Sequence, residues 1–140
     1  MKIAFICIHN SCRSQMAEAL ANFYAKKMQL DLEIYSAGSE KSRSIHPKAI
    51  YFLALNYGID MSNHYVKTID TLPKDIDIVI SMGCGVKCPT LRGKYSFDFQ
   101  LEDPSNFDDT AFQESIKILE SKVIALLESI KNNTLGDFRC

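Results

Sequence analysis

The chain opens on an unbroken apolar run, KIAFICI from residue 2 to 8, of strand length and without polar alternation. That is the pattern of a β-strand covered on both faces. After it the period changes. Ala17, Leu20, Ala21, Tyr24 and Met28 recur at three- and four-residue steps, which predicts an amphipathic helix opening at Ser14. LEIYSAG, residues 32–38, predicts a second strand closed by Gly38. HPKAIYFLALNYG, residues 46–58, predicts a second helix with Pro47 in its first turn and Gly58 after its end. IDIVISM, residues 76–82, is a third buried strand by the same apolar argument. Residues 83–104 are rich in turn-formers around one short candidate strand, YSFDF. Phe112, Ile116, Leu119, Val123, Leu126 and Ile130 then alternate steps of four and three, predicting a long closing helix capped by Asp108 or Asp109.

Strands alternating with helices imply an α/β fold: one domain over residues 1–140, with a parallel sheet, right-handed crossovers and helices on both faces. Sites in such sheets gather at the carboxyl ends of strands. Cys7 ends the first strand and Cys84 follows the third, so both thiols are expected at one rim. The composition is 46% hydrophobic and 24% charged with net charge −1, which offers no broad basic surface for nucleic acid. No apolar run reaches the ~18–20 residues of a membrane span, and the start lacks the pattern of a secretion signal; a cytoplasmic monomer is expected. Cys7, Cys12, Cys84, Cys88 and Cys140 are odd in number and unlike a disulfide framework. Taken singly, each is as readily a small buried hydrophobe as a reactive thiol.

Cys7 and Arg13 form a C-x5-R spacing in a loop between a strand and a helix amino terminus. The amides of Ile8, His9, Asn10, Ser11 and Cys12, with the positive end of the helix dipole, are expected to make an anion nest. The Arg13 guanidinium would grip two oxygens of a tetrahedral oxyanion. A sulphur at the base of that nest is expected to act as a thiolate nucleophile, with Ser14 donating a hydrogen bond to it. Asn10 is the residue best suited to a left-handed turn in a loop without glycine. Neither G-x4-G-K-[ST] nor GxGxxG occurs, so a nucleotide loop is not expected.

CIHNSCRSQMAEAL resembles the active-site loop of the low-molecular-weight tyrosine phosphatase family, and most of all that of its thioredoxin-coupled arsenate reductases. YSAG, HPKAI, MGCG…CP and LEDP resemble further blocks of that family in the same order. The resemblance implies a four-stranded parallel sheet, arsenate as substrate with phosphate or sulfate as look-alike anions, and no cofactor. It also implies that Asp103, fixed by Pro104 in LEDP, is the general acid that protonates the departing oxygen; read alone, Asp103 is an ordinary loop carboxylate. It implies further that Cys84 attacks Cys7, that Cys88 then attacks Cys84, and that thioredoxin reduces the resulting bridge. Gly83 and Gly85 ease the movement such a relay needs, since four extended residues span ~13 Å and a disulfide holds its Cα atoms at ~4.4–6.8 Å.

Other readings stay open. C-x3-C is also a zinc half-site, for which His46, His64 and Cys140 are candidates without zinc spacing; no metal is expected. Cys12 corresponds to a backup thiol in phosphatases of this fold, and the short spacing between Cys84 and Cys88 leaves glutaredoxin or a small thiol as alternative donors. Some relatives bind potassium beside the loop, where this chain has Tyr65 and Lys67; the resemblance then implies a lost cation site with Lys67 supplying its charge. A phosphatase acting on phosphotyrosine or small phosphomonoesters is the alternative function, although DPSN lacks the aromatic residues that usually follow the acid. A sensor that binds oxyanion without turnover is the third.

Overall fold

The computed structural model describes residues 1–40, 42, 44–83 and 93–138. Along the chain run β1 (Lys2–Cys7), α1 (Arg13–Lys27), β2 (Glu33–Gly38), α2 (Pro47–Tyr57), β3 (Ile78–Ser81), β4 (Tyr95–Asp98) and α3 (Asp109–Lys131), with single 3₁₀ turns at Ile69–Thr71 and Leu135–Asp137. The strands make one parallel sheet in the order β2-β1-β3-β4. The apolar run at the start becomes an interior strand, flanked by β2 and β3, and every residue of β1 after Lys2 is buried. Cys7 pairs with Gly38, and Ser81 pairs with Ile6 and Asp98. The carboxyl ends therefore finish level. The strand order reverses between β1 and β3, the position where parallel sheets open a crevice for ligands.

The two faces of β1 enter different cores. Ile3, Phe5 and Cys7 join the larger cluster, with Leu20 of α1, Phe52 and Leu53 of α2, and Phe112, Leu119, Val123 and Leu127 of α3. Ala4 and Ile6 face a smaller cluster with Ala37, Ile76 and Val79. Among the described residues this second face is covered by Ile69 and Leu72 around the 3₁₀ turn Ile69–Thr71, not by a full α-helix.

The helix ends follow local chemistry. His46 caps α2 by accepting the Lys48 N–H at 3.1 Å, Pro47 stands in the first turn, and Gly58 closes the helix at φ 68°, a conformation open to glycine. Asp108 caps α3 by accepting the Ala111 N–H at 2.8 Å. Residues 76–82 read as one largely apolar strand, yet β3 is limited to Ile78–Ser81. At its start the Asp77 carboxylate accepts the Lys2 N–H at 2.8 Å, and at its end the Met82 carbonyl turns away to accept from Arg13 at 2.6 Å.

Leu127 of α3 is fully buried in the larger core. Leu127→Ala is expected to cost about 2–5 kcal/mol of unfolding free energy, read as a lower urea midpoint with an unchanged slope.

Candidate active site

Cys7 ends β1, and the chain then turns through a left-handed residue, Asn10 at φ 53°, that is completely buried. Its side chain organises the loop from beneath. Asn10 Oδ1 accepts the Lys67 N–H at 2.9 Å and Gln15 Nε2 at 2.8 Å. The Lys67 amide can only donate, so the oxygen's place is fixed and Nδ2 donates to Ser14 Oγ at 2.8 Å and Ser36 Oγ at 3.0 Å. Ser14 Oγ, already an acceptor, keeps its own proton for Cys7 Sγ at 2.8 Å. The Asn10 backbone N–H reaches the same sulphur at 3.2 Å. Two donors thus converge on Cys7, as a negatively charged sulphur requires.

The loop's carbonyls are drawn outward. Cys7 O accepts the Ser39 N–H at 3.2 Å, Ile8 O the Glu40 N–H at 2.8 Å, and Ser11 O the His46 N–H at 2.8 Å. In a trans peptide the next N–H lies opposite the carbonyl, so these bonds aim the amides of Ile8, His9 and Cys12 inward. The first helical residue of α1 is Arg13, one before the predicted Ser14. Cys12 stands at the cap position without a side-chain capping bond, and the helix end presents its first amides to the same space. Its positive dipole favours an anion there.

Arg13 is almost fully buried, and its Nη1 donates to the carbonyls of Met82 at 2.6 Å and Leu101 at 3.0 Å. These bonds set the guanidinium plane across the crevice between the ends of β3 and β4. Cys7, His9, Ser11, Cys12 and Arg13 line a cavity of about 100 Å³, closed on the other side by Asp103 and Ser105. With roughly 30 Å³ per liquid water, that space suits one tetrahedral oxyanion. Glu102 faces a separate groove with Phe107 and Ile118.

Ser105 donates to Asp103 Oδ1 from its hydroxyl at 2.6 Å and its N–H at 3.1 Å. Burial pushes the Asp103 carboxyl up, but those two bonds and the nearby Arg13 and His9 outweigh it, and the net direction is down. Asp103 is therefore a carboxylate at neutral pH. Burial, reinforced by the charges of Asp103 and Cys7 and opposed by Arg13, pushes the Cys12 thiol up to about 12, so Cys12 stays protonated while Cys7 carries the donors. Beneath the loop, Glu18 accepts from Ser36 Oγ at 2.7 Å and lies 3.7 Å from Lys67 Nζ and 3.4 Å from His64 Nδ1. The ammonium of Lys67 thus sits against the carboxylate that supports Asn10 through Ser36. Burial pushes His64 down, Glu18 opposes that, and Lys67 adds to it.

Cys7, the loop residues Ile8 to Cys12, Arg13, Ser14 and Asp103 all meet at this one place. Cys84, Cys88 and Cys140 lie outside the described residues. Both ring nitrogens of His46 are engaged, with Ser105 and Lys48, and Nδ1 of His64 faces Gln15 and Glu18. Sequence reasoning passed over Gln15, Glu18, Ser36 and Ser105. Gln15 and Glu18 follow Ser14 on α1 and Ser36 lies beside Phe5 in the sheet register, a pairing that periodicity along the chain does not reveal.

Residues 2–135 match the model of the family described as low molecular weight phosphotyrosine protein phosphatase. The chain belongs to this family. Within it, the chain is 40% identical over 107 residues to a glutaredoxin arsenate reductase of Synechocystis sp., covering 74% of this chain and 78% of that protein. It is 37% identical over 124 residues to an arsenate reductase of Staphylococcus aureus, covering 83% and 90%. Among solved structures of the family, an arsenate reductase in the phosphate binding state superposes with a TM-score of 0.79 at 35% identity, covering 92% of this chain and 98% of that one. A thioredoxin-dependent arsenate reductase of Corynebacterium glutamicum gives 0.74 at 35%, covering 94% and 62%.

Gly38, at the end of β2, is pressed against this family loop: a Cβ there would meet Ile8 O at 2.6 Å and Asn10 N at 2.8 Å. Backbone on both sides leaves no flexible partner to yield. Gly38→Ala is expected to weaken phosphate binding by tenfold or more in calorimetric titration, with the far-ultraviolet circular dichroism of the sheet retained.

Proposed function

We propose that the protein is a cytoplasmic, monomeric arsenate reductase in which Cys7 is the nucleophile, Asp103 the general acid, and Cys84 and Cys88 the relay to an external thiol donor. The observation that carries this reading is the convergence of Cys7, Arg13 and Asp103 on one cavity sized for a single oxyanion, with no Phe, Tyr or Trp among the described residues lining it. The arsenate reductases similar to this chain supply the substrate.

Arsenate enters with its oxygens against the inward amides and the Arg13 guanidinium. The thiolate of Cys7 attacks arsenic. One oxygen departs as water on a proton from Asp103, leaving arsenic(V) bonded to Cys7 sulphur. Asp103 is ionised at neutral pH, and the incoming negative charge raises its proton affinity, so substrate binding itself loads the acid. The thiolate of Cys84 then attacks Cys7 sulphur. The S–As bond breaks with its electron pair going to arsenic, arsenite is released, and a Cys7–Cys84 disulfide remains. Attack by Cys88 on Cys84 frees Cys7, and the donor dithiol reduces the Cys84–Cys88 bridge while becoming oxidised itself. Cys84 follows Met82 by two residues in the sequence, and Met82 is tied through its carbonyl to Arg13, which supports this reading.

The relatives named above include a glutaredoxin enzyme and a thioredoxin-dependent one, and both donors belong in the assay. Phosphomonoester hydrolysis, in the name of the family, is the second reading; water would then replace Cys84 as attacker.

Arsenite production with thioredoxin or glutaredoxin, read beside p-nitrophenyl phosphate hydrolysis, tests the function. Cys7→Ser is expected to abolish both activities, and Asp103→Asn to slow the chemical step by about 10²–10⁴ with little change in phosphate inhibition. Full single-turnover activity in either variant would reassign that role. Cys84→Ser and Cys88→Ser are each expected to stop multiple-turnover arsenite production while sparing hydrolysis. Multiple-turnover reduction by either variant would remove the relay.

A further inference from the structure

His46 joins the two halves of the active site through two hydrogen bonds and caps α2 with a third. Its backbone N–H donates to the carbonyl of Ser11 in the anion loop at 2.8 Å. Its ring Nε2 bonds the carbonyl of Ser105 in the acid loop at 2.9 Å, and its ring Nδ1 accepts the Lys48 N–H at 3.1 Å. A carbonyl can only accept and an amide can only donate. The partners therefore select one form of the ring, neutral with its proton on Nε2. The ring also packs against Phe112 at 5.4 Å between centroids, which holds its plane.

Ser105 is the residue whose N–H and hydroxyl hold Asp103. The path from His46 to Asp103 is thus one carbonyl and one peptide long. Lys48 adds a second strut farther along, donating to Phe107 O at 2.8 Å and lying 3.0 Å from Asp109. Both loops hang from the first turn of α2. Capping alone explains only the bond to Lys48; an asparagine or serine side chain is long enough for that. The bond to Ser105 needs a side chain with a second, more distant nitrogen.

We propose that His46 is a positioning residue for the general acid: through Ser105 its Nε2–H sets Asp103 over the anion loop that its own backbone anchors. This rests on the assignment of Asp103 as the acid. His46→Asn separates the two jobs, because asparagine keeps the cap but does not reach Ser105.

The test compares wild type, His46→Asn, Asp103→Asn and the double variant. Single-turnover rates are read with arsenate and with p-nitrophenyl phosphate, alongside inhibition by inorganic phosphate and urea denaturation. For His46→Asn the chemical step is expected to slow about tenfold, as for loss of one positioning hydrogen bond, with phosphate inhibition within twofold and the urea midpoint retained. In the Asp103→Asn background the same change is expected to cost nothing further. An unchanged rate in His46→Asn beside a slowed Asp103→Asn would overturn the proposal and leave the acid standing. An equal loss in both backgrounds would make His46 merely structural. An unchanged rate in Asp103→Asn would remove the acid and His46 with it. Hydrolysis without arsenite would sink the reductase reading alone, since the His46 comparison is then decided on the aryl phosphate. Independently of any variant, the ring ¹⁵N shifts of wild type are expected to show the Nε2–H tautomer at neutral pH; the Nδ1–H form would overturn the proposal.

Discussion

The site depends on a left-handed turn at a buried asparagine. At Asn10 the main chain reverses curvature, which sends its own N–H toward Cys7. The same side chain satisfies the Lys67 amide, orders Ser14 and reaches Ser36. A glycine would permit the turn but carry none of those bonds, and a branched residue would resist the turn. The outward carbonyls, the inward amides and the proton on Ser14 all follow from that one conformation. The sheet supports it from the side, because Gly38 leaves the loop room to lie directly on the end of β2.

Much of this was written in the pattern of apolar positions. β1 is an interior strand because every residue after Lys2 can be buried, and the change of period at Ser14 places α1 almost to the residue. The four- and three-residue apolar steps of α3 were equally plain, and of the two candidate caps, Asp108 and Asp109, the structure takes Asp108. What periodicity does not carry is long-range pairing. His46 reads as a stray zinc ligand until the Asp103 loop is folded back onto the start of α2, and the Ser105 carbonyl has no signature in sequence at all. Ser36 and Glu18 look like ordinary polar residues on a strand and a helix. Only the parallel register, which sets Ser36 beside Phe5, brings them under the loop.

The two thiols of the loop are both buried but meet different neighbours. Cys7 lies where Ser14 and the Asn10 amide point, and Cys12, five residues on, sits where burial and the neighbouring Asp103 hold its proton. The C-x5-R spacing singles out Cys7 in the sequence, and the donors aimed at its sulphur supply the physical ground. The choice is made by which sulphur the backbone turns its donors toward, a property of φ at a third residue.

A nest built from main-chain amides and one guanidinium reads geometry and charge, and it has no means of sensing the element at the centre of the ion. Phosphate, with the shape and charge of arsenate, would meet such a nest on the same terms, and no tightening of that grip would improve the choice. Selectivity must arise after capture, from the ease with which arsenic and not phosphorus accepts an electron pair. A cell relying on such a protein would find its defence throttled whenever its nutrient anion ran high.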